Sequence, residues 1–309
     1  MSYSCHVLAD SIARGVRLTT LQVTLPRIVL AEFNTHRVFS RNSASSRAIP
    51  VATRIAAVRS SPFVPEAFGK NRPGMQASEQ LEGLADAEAR HIWETAMRTS
   101  CTLATQLAEV GVHKQLANRL IEPFSWTTVV VTSTEWENFF ALRISEHAQP
   151  EIRRAAEAMK AAVDFSVPDE AVAGTWHLPF ITQEDRALAQ DGRWSDADMC
   201  KVSTARCARV SYLTHDGRRS FGDDIALHDR LLASGHMSPF EHVAKATAFP
   251  LHQRHWYLEE PECILCGAYG PDDDGVDCAP LFLGNFRSPW RQYRKTIRGE
   301  DVFRLREVS

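Results

Sequence analysis

The 309-residue sequence has neither a long hydrophobic run nor a large excess of charge of one sign. Its apolar runs, such as 28–31 and 129–131, fall far short of the roughly 18 residues that indicate a membrane span. The N-terminus has no basic stretch followed by an apolar one, which a signal peptide would need. The 35 Lys and Arg residues against 38 Asp and Glu give a net charge of −3, which disfavours binding to a nucleic-acid duplex through bulk positive charge. We therefore expect a cytoplasmic protein with neither a membrane nor nucleic acid as its partner.

Cysteine is also scarce, since the chain contains seven. A chain of this length with 44% hydrophobic residues can bury a core without disulfides, so reduced thiols are expected. Three cysteines occur late, Cys263, Cys266 and Cys278, and His252 and His255 precede them. This spacing is compatible with a structural zinc site and also with unligated thiols in a loop.

Hydrophobic periodicity and breaker residues predict a mixture of strands and helices. The predicted elements of the first half are a strand over 17–33 with Pro26 at a break or an edge, a loop over 51–77, helices over 78–110 and 113–121, a short buried strand or an extended turn over 127–132, and a helical stretch over 135–164 that kinks or breaks at Pro150. Those of the second half are a helix over 223–234 and a strand over 243–249. The expected fold class is α/β or α+β, with a central mixed or antiparallel sheet flanked by helices.

A polar segment over residues 34–47 contains almost nothing to bury. Its arginines and serines are Arg37, Arg41, Arg47, Ser40, Ser43, Ser45 and Ser46. Guanidinium groups pair with phosphate through two parallel hydrogen bonds, and hydroxyl groups add further donors. His36 and Asn42 add groups suited to the edge of a heterocycle. The segment therefore predicts a nucleotide-binding loop, and the alternative is a solvated loop with helix-capping serines.

Three polar side chains interrupt the apolar pattern of the predicted helix over 135–164. These are Asn138, Arg143 and His147, and at about 100° per residue the last two lie on one helix face. Polar groups on a buried helix need partners, which here are either a ligand or a structural salt-bridge network.

Five blocks of the sequence together resemble one family. Residues 36–47, HRVFSRNSASSR, follow the signature R-H-R-x-x-S-x-N-x-x-S-x-R of flavin-dependent thymidylate synthases from its second position onward. Four other blocks are similar to further segments of that family: GVHKQLANRLIEP over 111–123, NFFALRISEHAQPEIR over 138–153, ARVSY over 208–212 and PFEH over 239–242.

The order of these blocks departs from the family, in which the last two motifs precede the signature. The resemblance therefore implies a circularly permuted chain. Residues 1–164 would hold the signature loop, the helical segment and the substrate and flavin helix. Residues 165–200 would be a connector, and residues 201–309 would be the family's N-terminal part with a cysteine-containing tail. We expect these parts to form one folded unit.

The resemblance implies reductive methylation at C5 of dUMP to give dTMP. In this family methylenetetrahydrofolate supplies the carbon, NADPH supplies the electrons and FAD serves both steps. Family members are homotetramers with shared active sites, so a homo-oligomer is expected. The family uses no cysteine nucleophile, and Cys207, beside one motif, is interpreted as a packing residue.

The resemblance also implies roles for individual residues. Arg143 corresponds to the arginine that touches the pyrimidine ring and is the predicted catalytic residue. The predicted substrate-binding residues are Ser45, Ser46, Arg47, Arg119 and Glu32, with Asn118 as the alternative to Arg119. The predicted flavin-binding residues are His36, Arg37, Asn42, Asn138, His147, Ser211 and His242.

Three positions depart from the family pattern. Thr35 replaces the first arginine of the signature, and Arg41 is the neighbouring residue expected to supply the missing charge. Glu32 stands where the family has a glutamine, and Ser43 where it has a glutamate. A carboxylate accepts a hydrogen bond from the amino group of cytosine and repels a uracil carbonyl. Methylation or hydroxymethylation at C5 of a cytosine nucleotide such as dCMP, or of a uracil nucleotide, by the same flavin and folate chemistry therefore stays open.

An alternative of another class is a homologue that binds a nucleotide or nucleic acid without catalysis. The aromatic and basic segment 286–295, FRSPWRQYRK, suits stacking on single-stranded nucleic acid. It also suits a strand edge or a subunit contact, and the acidic net charge favours this second interpretation.

Overall fold

A computed structural model of the protein describes residues 2–74, 77, 79–211, 220–248, 284–297 and 300. The strands are β1 (Ser4–Ala13), β2 (Val16–Pro26), β3 (Ser40–Ser43), β4 (Trp126–Ser133), β5 (Asp169–Glu170), β6 (Trp176–His177), β7 (Ala244–Ala246) and β8 (Trp290–Gln292). The helices are α1 (Leu30–Phe33), α2 (Val51–Ser60), α3 (Leu84–Glu109), α4 (Lys114–Ala117), α5 (Glu137–Arg143), α6 (Pro150–Phe165), α7 (Gln183–Leu188), α8 (Asp196–Ala208) and α9 (Phe221–Ser234). Within the described ranges, no helix combines the length and the hydrophobicity needed to cross a membrane.

A five-stranded sheet forms the centre of the first half, in the order β3-β4-β2-β1-β5. β1 and β2 form an antiparallel hairpin, and both residues of its turn, Arg14 and Gly15, have positive φ. A two-residue turn of that kind matches the right-handed twist of the flanking strands. β4 pairs antiparallel with both β2 and β3, whereas β5 pairs parallel with β1. The predicted fold of a mixed sheet with helices is therefore confirmed.

One face of this sheet is apolar and is covered by α6. Leu21, Val23 and Leu25, at alternate positions of β2, are fully buried against Ile152 and Met159 of α6. Each side chain of this size that is removed from water contributes roughly 1.5–3 kcal/mol. The helices α1 and α5 join the same hydrophobic cluster, which holds their ends close together.

The opposite face of the sheet is covered by the second half of the chain. This half forms a small antiparallel sheet in the order β6-β7-β8. Ala244 and Trp290 of that sheet share a hydrophobic cluster with Leu18 of β2. The indole N–H of Trp290 donates a 2.9 Å hydrogen bond to the carbonyl of Val16. The aromatic and basic segment 286–295 thus contributes an edge strand, in agreement with the favoured interpretation.

A buried ion network joins the helices of the second half. The guanidinium of Arg206, in α8, donates to Asp185 in α7 and to Asp224 in α9, the latter over 2.9 Å. Arg209 donates to the other oxygen of Asp224 over 2.7 Å. Burying these charges costs desolvation energy, which the pairing and the hydrogen bonds offset, and removing one partner would leave an uncompensated buried charge. The network therefore fixes α7, α8 and α9 to one another.

Several predicted elements are confirmed with shifted ends. The strand predicted over 127–132 is β4, the long helix is α3, and the helix predicted over 223–234 is α9. α9 ends at Gly235, whose left-handed backbone is a common helix stop.

Other predictions of secondary structure are wrong in part. The strand predicted over 17–33 ends at the predicted break, Pro26, and the residues after it form α1 instead of more strand. The loop predicted over 51–77 contains α2. The break predicted at Pro150 is confirmed, because the helical stretch 135–164 is two helices and the proline starts α6, where its missing N–H costs nothing. The segment 165–200, proposed as a connector, contains β5, β6, α7 and the start of α8.

Candidate active site

The side chain of Arg143 lies between a carboxylate and an imidazole. Arg143 is the last residue of α5, Glu32 lies in α1, and His36 lies in the turn that follows α1. The Nη1 of Arg143 donates to the Glu32 carboxylate, and its Nε donates a 2.9 Å hydrogen bond to Nε2 of His36. The Arg143 side chain keeps 20% of its surface exposed. The guanidinium is thus held on two sides and is still open to a ligand.

The environment of His36 keeps its imidazole neutral. The residue is buried, and its ring packs edge-on against Phe139 with 4.9 Å between the ring centroids. Burial lowers the pKa of His36, and the charges of Arg143 and Arg41 lower it further. Since Nε2 accepts from Arg143, the ring proton is assigned to Nδ1.

Arg41 closes the loop that carries His36. Its guanidinium donates to the side chain and the carbonyl of Asn34 at 2.8 and 2.7 Å. It also donates to the carbonyls of His36 and Phe39, both at 3.0 Å. The expectation that Arg41 supplies the charge missing at Thr35 is not supported, because these donors are used within the loop.

A second polar cluster centres on the carboxylate of Glu122. Arg27 donates to it from Nε at 2.9 Å, Arg119 donates to both oxygens at 3.0 Å, and the hydroxyl of Ser46 donates to Oε1. Burial alone would raise the pKa of Glu122, but the hydrogen bonds from Ser46 and Arg119 and the charge of Arg27 bring it below its usual value. Two predicted phosphate ligands, Ser46 and Arg119, therefore converge on an internal anion.

This Glu122 cluster borders a cleft of about 380 Å³ whose wall includes Arg27, Asn34 and Arg119. Asn118, the alternative to Arg119, is fully buried. Its Nδ2 donates to the carbonyls of Ser46 and Ile49 at 2.7 and 3.0 Å. Asn118 thus holds the loop that carries Ser46, while Arg119 faces the cleft.

Arg54 is a buried cation close to the same cluster. It lies in α2, and its Nε and Nη2 have no hydrogen-bond partner in the part of the chain that the structure describes. Burial, and then the charge of Arg27, lower the pKa of Arg54, whereas Glu122 raises it. The positive charge around Glu122 therefore exceeds the single negative charge of its carboxylate.

Five polar side chains form an imidazole–hydroxyl chain between the sheet and the second half. The distances are 3.0 Å from Ser11 Oγ to His177 Nδ1, 2.8 Å from His177 Nε2 to Thr20 Oγ1, 2.7 Å from Thr20 Oγ1 to Thr132 Oγ1, and 2.8 Å from Thr132 Oγ1 to His242 Nδ1. Burial lowers the pKa of both histidines to about 3. Both rings are therefore neutral over the physiological range.

The structure brings only some of the sequence-predicted residues together. Glu32, His36 and Arg143 form the first cluster, and Ser46 and Arg119 meet at Glu122. The exposed ones are Arg37, Arg47, Asn138 and His147, while Ser45 and Asn42 are half-buried and His242 is buried. Ser211 ends the turn Arg209–Ser211.

The predicted polar face of one helix is wrong. α5 ends at Arg143 and α6 begins only at Pro150, so His147 lies outside both helices. Arg143 finds its partners on another element instead, through its ion pair with Glu32. For Arg143, the alternative of a structural salt bridge therefore agrees with the structure.

Sequence reasoning missed Thr20, Thr132 and His177, and also Arg27, Arg54 and Glu122. The threonines at alternate positions of two paired strands were a signal, because Thr20 pairs with Thr132 and Thr24 pairs with Thr128 on one sheet face. His177 carried no signal, since it lies in the segment interpreted as a connector.

The cysteines of the described ranges are free thiols, as expected: Cys5, Cys101, Cys200 and Cys207. Burial raises the pKa of Cys207, which is fully buried, so its interpretation as a packing residue agrees with the structure. Cys263, Cys266, Cys278, His252 and His255 lie outside the described residues, so the zinc site stays a prediction. Within the described residues no group of three or more His, Cys, Asp or Glu is arranged to hold a metal ion.

Comparison with known proteins gives the family. The family model "thymidylate synthase complementing protein" matches residues 11–169, about half of the sequence, and the chain belongs to this family. This membership makes the protein an enzyme, a pyrimidine nucleotide methyltransferase. The motifs at 208–212 and 239–242 lie beyond the matched residues, so the permuted order stays a prediction.

Two solved structures are similar to the chain, both of the UMP/dUMP methylase PolB from Streptomyces cacaoi. The one bound with 5-Br UMP has a TM-score of 0.45, 16% sequence identity, and coverage of 52% of this chain and 88% of its own. The one bound with 5-Br dUMP has a TM-score of 0.43, 16% identity, and coverage of 52% and 90%. No curated protein matches the sequence.

Proposed function

We propose that the protein catalyses flavin-dependent reductive methylation at C5 of dUMP to give dTMP, with methylenetetrahydrofolate as the carbon donor and NADPH as the electron donor. The observation that carries this proposal is the position of Arg143 between Glu32 and His36 in a member of this family. We also propose a circularly permuted chain that assembles into a homo-oligomer, a tetramer by analogy with the family.

The role proposed for Arg143 is electrostatic. A guanidinium beside the uracil carbonyls stabilises the negative charge that grows as C5 becomes nucleophilic. Its position must be fixed before the reaction, since donors that are already oriented need no reorganisation when charge develops. Glu32 and the neutral ring of His36 provide that orientation by taking two of its donors.

The phosphate is proposed to bind Ser45, Ser46, Arg47 and Arg119. Ser46 and Arg119 now donate to Glu122, so a bound phosphate competes with this carboxylate for the same donors. The two additional cations, Arg27 and Arg54, offset part of the repulsion between the carboxylate and the phosphate.

The chemistry of the available donors suits FAD. Nε2 of His242 is buried and has no hydrogen-bond partner in the described ranges, so it is a polar atom that needs one. Arg37, Asn138 and His147 are exposed in one chain, as a cofactor site shared between subunits requires. We propose that these four residues, with Asn42 and Ser211, hold the flavin. When bound, FAD supplies the hydride and one-carbon chemistry.

The proposal is tested by flavin oxidation in the presence of each pyrimidine monophosphate. Purified protein should be yellow, NADPH should bleach the flavin, and product should form with dUMP only when methylenetetrahydrofolate is present. Arg143→Ala should retain bound flavin and lose methylation. Arg98→Ala is the matched control, because Arg98 is exposed on α3, where it pairs with Glu94. Colourless protein that takes up no added FAD would contradict the proposal and favour a non-catalytic nucleotide-binding homologue.

A second candidate is methylation or hydroxymethylation of dCMP. It is favoured by the carboxylate of Glu32, which pairs with the guanidinium proposed to touch the pyrimidine ring. Cytosine offers an amino group that donates to a carboxylate, whereas uracil offers a carbonyl at that position. Turnover with dUMP and dCMP side by side separates the two candidates, and exclusive use of dUMP eliminates the second.

A further inference from the structure

The imidazole–hydroxyl chain has one open end and one closed end. Ser11 is only half-buried, so this end of the imidazole–hydroxyl chain is the more open one. At the other end, His242 is fully buried and its Nε2 has no hydrogen-bond partner within the described residues. A buried polar atom of this kind is stable only when something completes its hydrogen bond.

Proton counting limits the chain to two satisfied states. Each hydroxyl has one proton to donate, and each neutral imidazole has one N–H. If Ser11 donates to His177, every hydrogen bond runs toward His242, and both rings carry their proton on Nε2. If the direction is reversed, both rings carry it on Nδ1.

Mixed states leave a buried polar group unsatisfied. If each threonine donates to its neighbouring histidine, the two threonine oxygens face each other at 2.7 Å with no proton between them. If both accept from the rings, one hydroxyl proton has no acceptor in the chain. Either arrangement costs free energy in a buried site, since a lost hydrogen bond is not replaced by water.

We infer that His177 and His242 always hold the same tautomer, and that His177 is a positioning residue which sets whether Nε2 of His242 donates or accepts. Thr20 and Thr132 transmit this choice across the sheet. A ligand acceptor at Nε2 stabilises the state in which both rings are protonated there, and a ligand donor stabilises the other. That this ligand is the flavin rests on the proposed function.

The test is the ¹⁵N spectrum of the two imidazoles in full-length protein labelled at histidine. In a neutral ring the ¹⁵N chemical shifts of the protonated and the unprotonated nitrogen differ widely, so the spectrum identifies each tautomer directly. Resonances are assigned with His177→Gln and His242→Gln. The expected result for the wild type at neutral pH is two neutral rings of the same tautomer. Opposite tautomers, or a cationic ring, would overturn the inference.

Two variants each remove one hydroxyl group from the imidazole–hydroxyl chain. In Thr132→Val, the Thr20 hydroxyl keeps Nε2 of His177 as its side-chain acceptor among the described residues, so His177 should carry its proton on Nδ1. In Thr20→Val, the Thr132 hydroxyl should donate to Nδ1 of His242, which then carries its proton on Nε2. In the wild type both rings carry their proton on the same nitrogen, either Nδ1 or Nε2. The wild type therefore matches the tautomer expected for only one of the two variants, and the other variant must change the tautomer of its histidine. If neither does, the inference fails.

The matched control is Thr128→Val. Thr128 forms a cross-strand pair with Thr24 on the same two strands, with 3.3 Å between the hydroxyl oxygens, and no histidine of the described ranges joins that pair. In Thr128→Val, the ¹⁵N spectra of His177 and His242 should equal those of the wild type. A change as large as that in Thr132→Val would show that general disturbance of β4, rather than the chain, sets the tautomers.

Titration with FAD separates this inference from the proposed function. Binding should shift Nε2 of His242 and also the resonances of His177, and in Thr132→Val it should shift His242 alone. FAD that binds without moving either ring would contradict the assignment of His242 to the flavin. The coupling of the two tautomers would then still stand or fall on the wild-type spectrum.

Discussion

Nε of Arg143 donates to Nε2 of His36 over 2.9 Å, so the arginine proposed to touch the substrate is held by an imidazole that must remain neutral. Protonation of His36 would place a second positive charge beside the guanidinium and remove the acceptor lone pair. The orientation of Arg143 therefore depends on pH through a residue 107 positions away in sequence.

We expect activity to decline on the acidic side of the pKa of His36. Burial and the neighbouring arginines place this pKa below 6.5, so the neutral ring persists at pH 7 and is lost only as pH falls through the lowered pKa. A profile of kcat against pH, with flavin content measured at each point, checks this. His36→Gln, which keeps an acceptor that does not titrate, should flatten the acidic limb. An unchanged acidic limb in that variant would assign it to another group.

Replacing Arg143 by Lys should lower kcat by about 10²- to 10³-fold, which is typical for removal of one oriented donor at a developing charge. A lysine ammonium cannot reach both Glu32 and His36 with the fixed fork of a guanidinium. Single-turnover methylation rates measure the effect. The surface change Arg98→Lys, at an exposed residue of α3, should leave the rate unaltered.

Replacing Glu122 by Gln should tighten binding of dUMP. The amide keeps an acceptor for Ser46 and Arg119 but removes a negative charge from the proposed phosphate site, so about a tenfold gain in affinity is expected. Calorimetric titration with dUMP measures it. Deoxyuridine, which lacks the phosphate, is the matched ligand and should bind equally to both proteins. Weaker binding of dUMP would mean that Glu122 supports the site rather than competing for it.

Acid should destabilise the fold through His177 and His242. Their folded-state pKa of about 3 lies below the unfolded value near 6.5, so the unfolded state binds more protons as pH falls. The contribution of these histidines to the free energy of unfolding is thus complete above pH 6.5. It falls by about 3 kcal/mol per histidine between pH 6.5 and 4. Urea denaturation at a series of pH values checks this. His177→Gln should reduce the slope, and an equal slope would contradict the assignment.

Removing Arg206 should destabilise the second half more than removing Arg209. Arg206→Ala leaves Asp185 without its guanidinium and Asp224 with one partner fewer, and loss of one member of a buried pair costs about 3–5 kcal/mol. Arg209 is more exposed, and its loss leaves Asp224 paired with Arg206. Denaturant midpoints of the two variants give the comparison. Equal midpoints would show that the Asp185 pair contributes nothing.

Much of the fold could be predicted from local sequence signals. The periodicity of 78–110 identified α3, the β-branched run at 127–132 identified β4, and the helical pattern of 223–234 identified α9. The wrong predictions of secondary structure concern segments whose sequence pattern is compatible with more than one kind of element. The apolar run 27–33 suits a strand or a helix, and only its packing beside α5 decides for the helix.

The candidate site was predicted only in part. The family resemblance assigned Glu32, His36 and Arg143 to the proposed site, but it gave no indication that they contact one another. It assigned Ser46 and Arg119 to a ligand, whereas the folded chain directs both to Glu122. An anion supplied by the protein itself cannot be recognised from a motif, because any nearby carboxylate can occupy the position.

By itself, the sequence determined the kind of elements, the family and the residue types available for chemistry, because periodicity, turns and motifs depend on neighbours along the chain. Which polar groups meet was decided by the tertiary structure. Thr132 and His242, 110 positions apart, share a hydrogen bond because the second half of the chain covers the face of the sheet that α6 leaves open. Burial there removes water, so each buried donor and acceptor on that face depends on a partner that the fold brings to it.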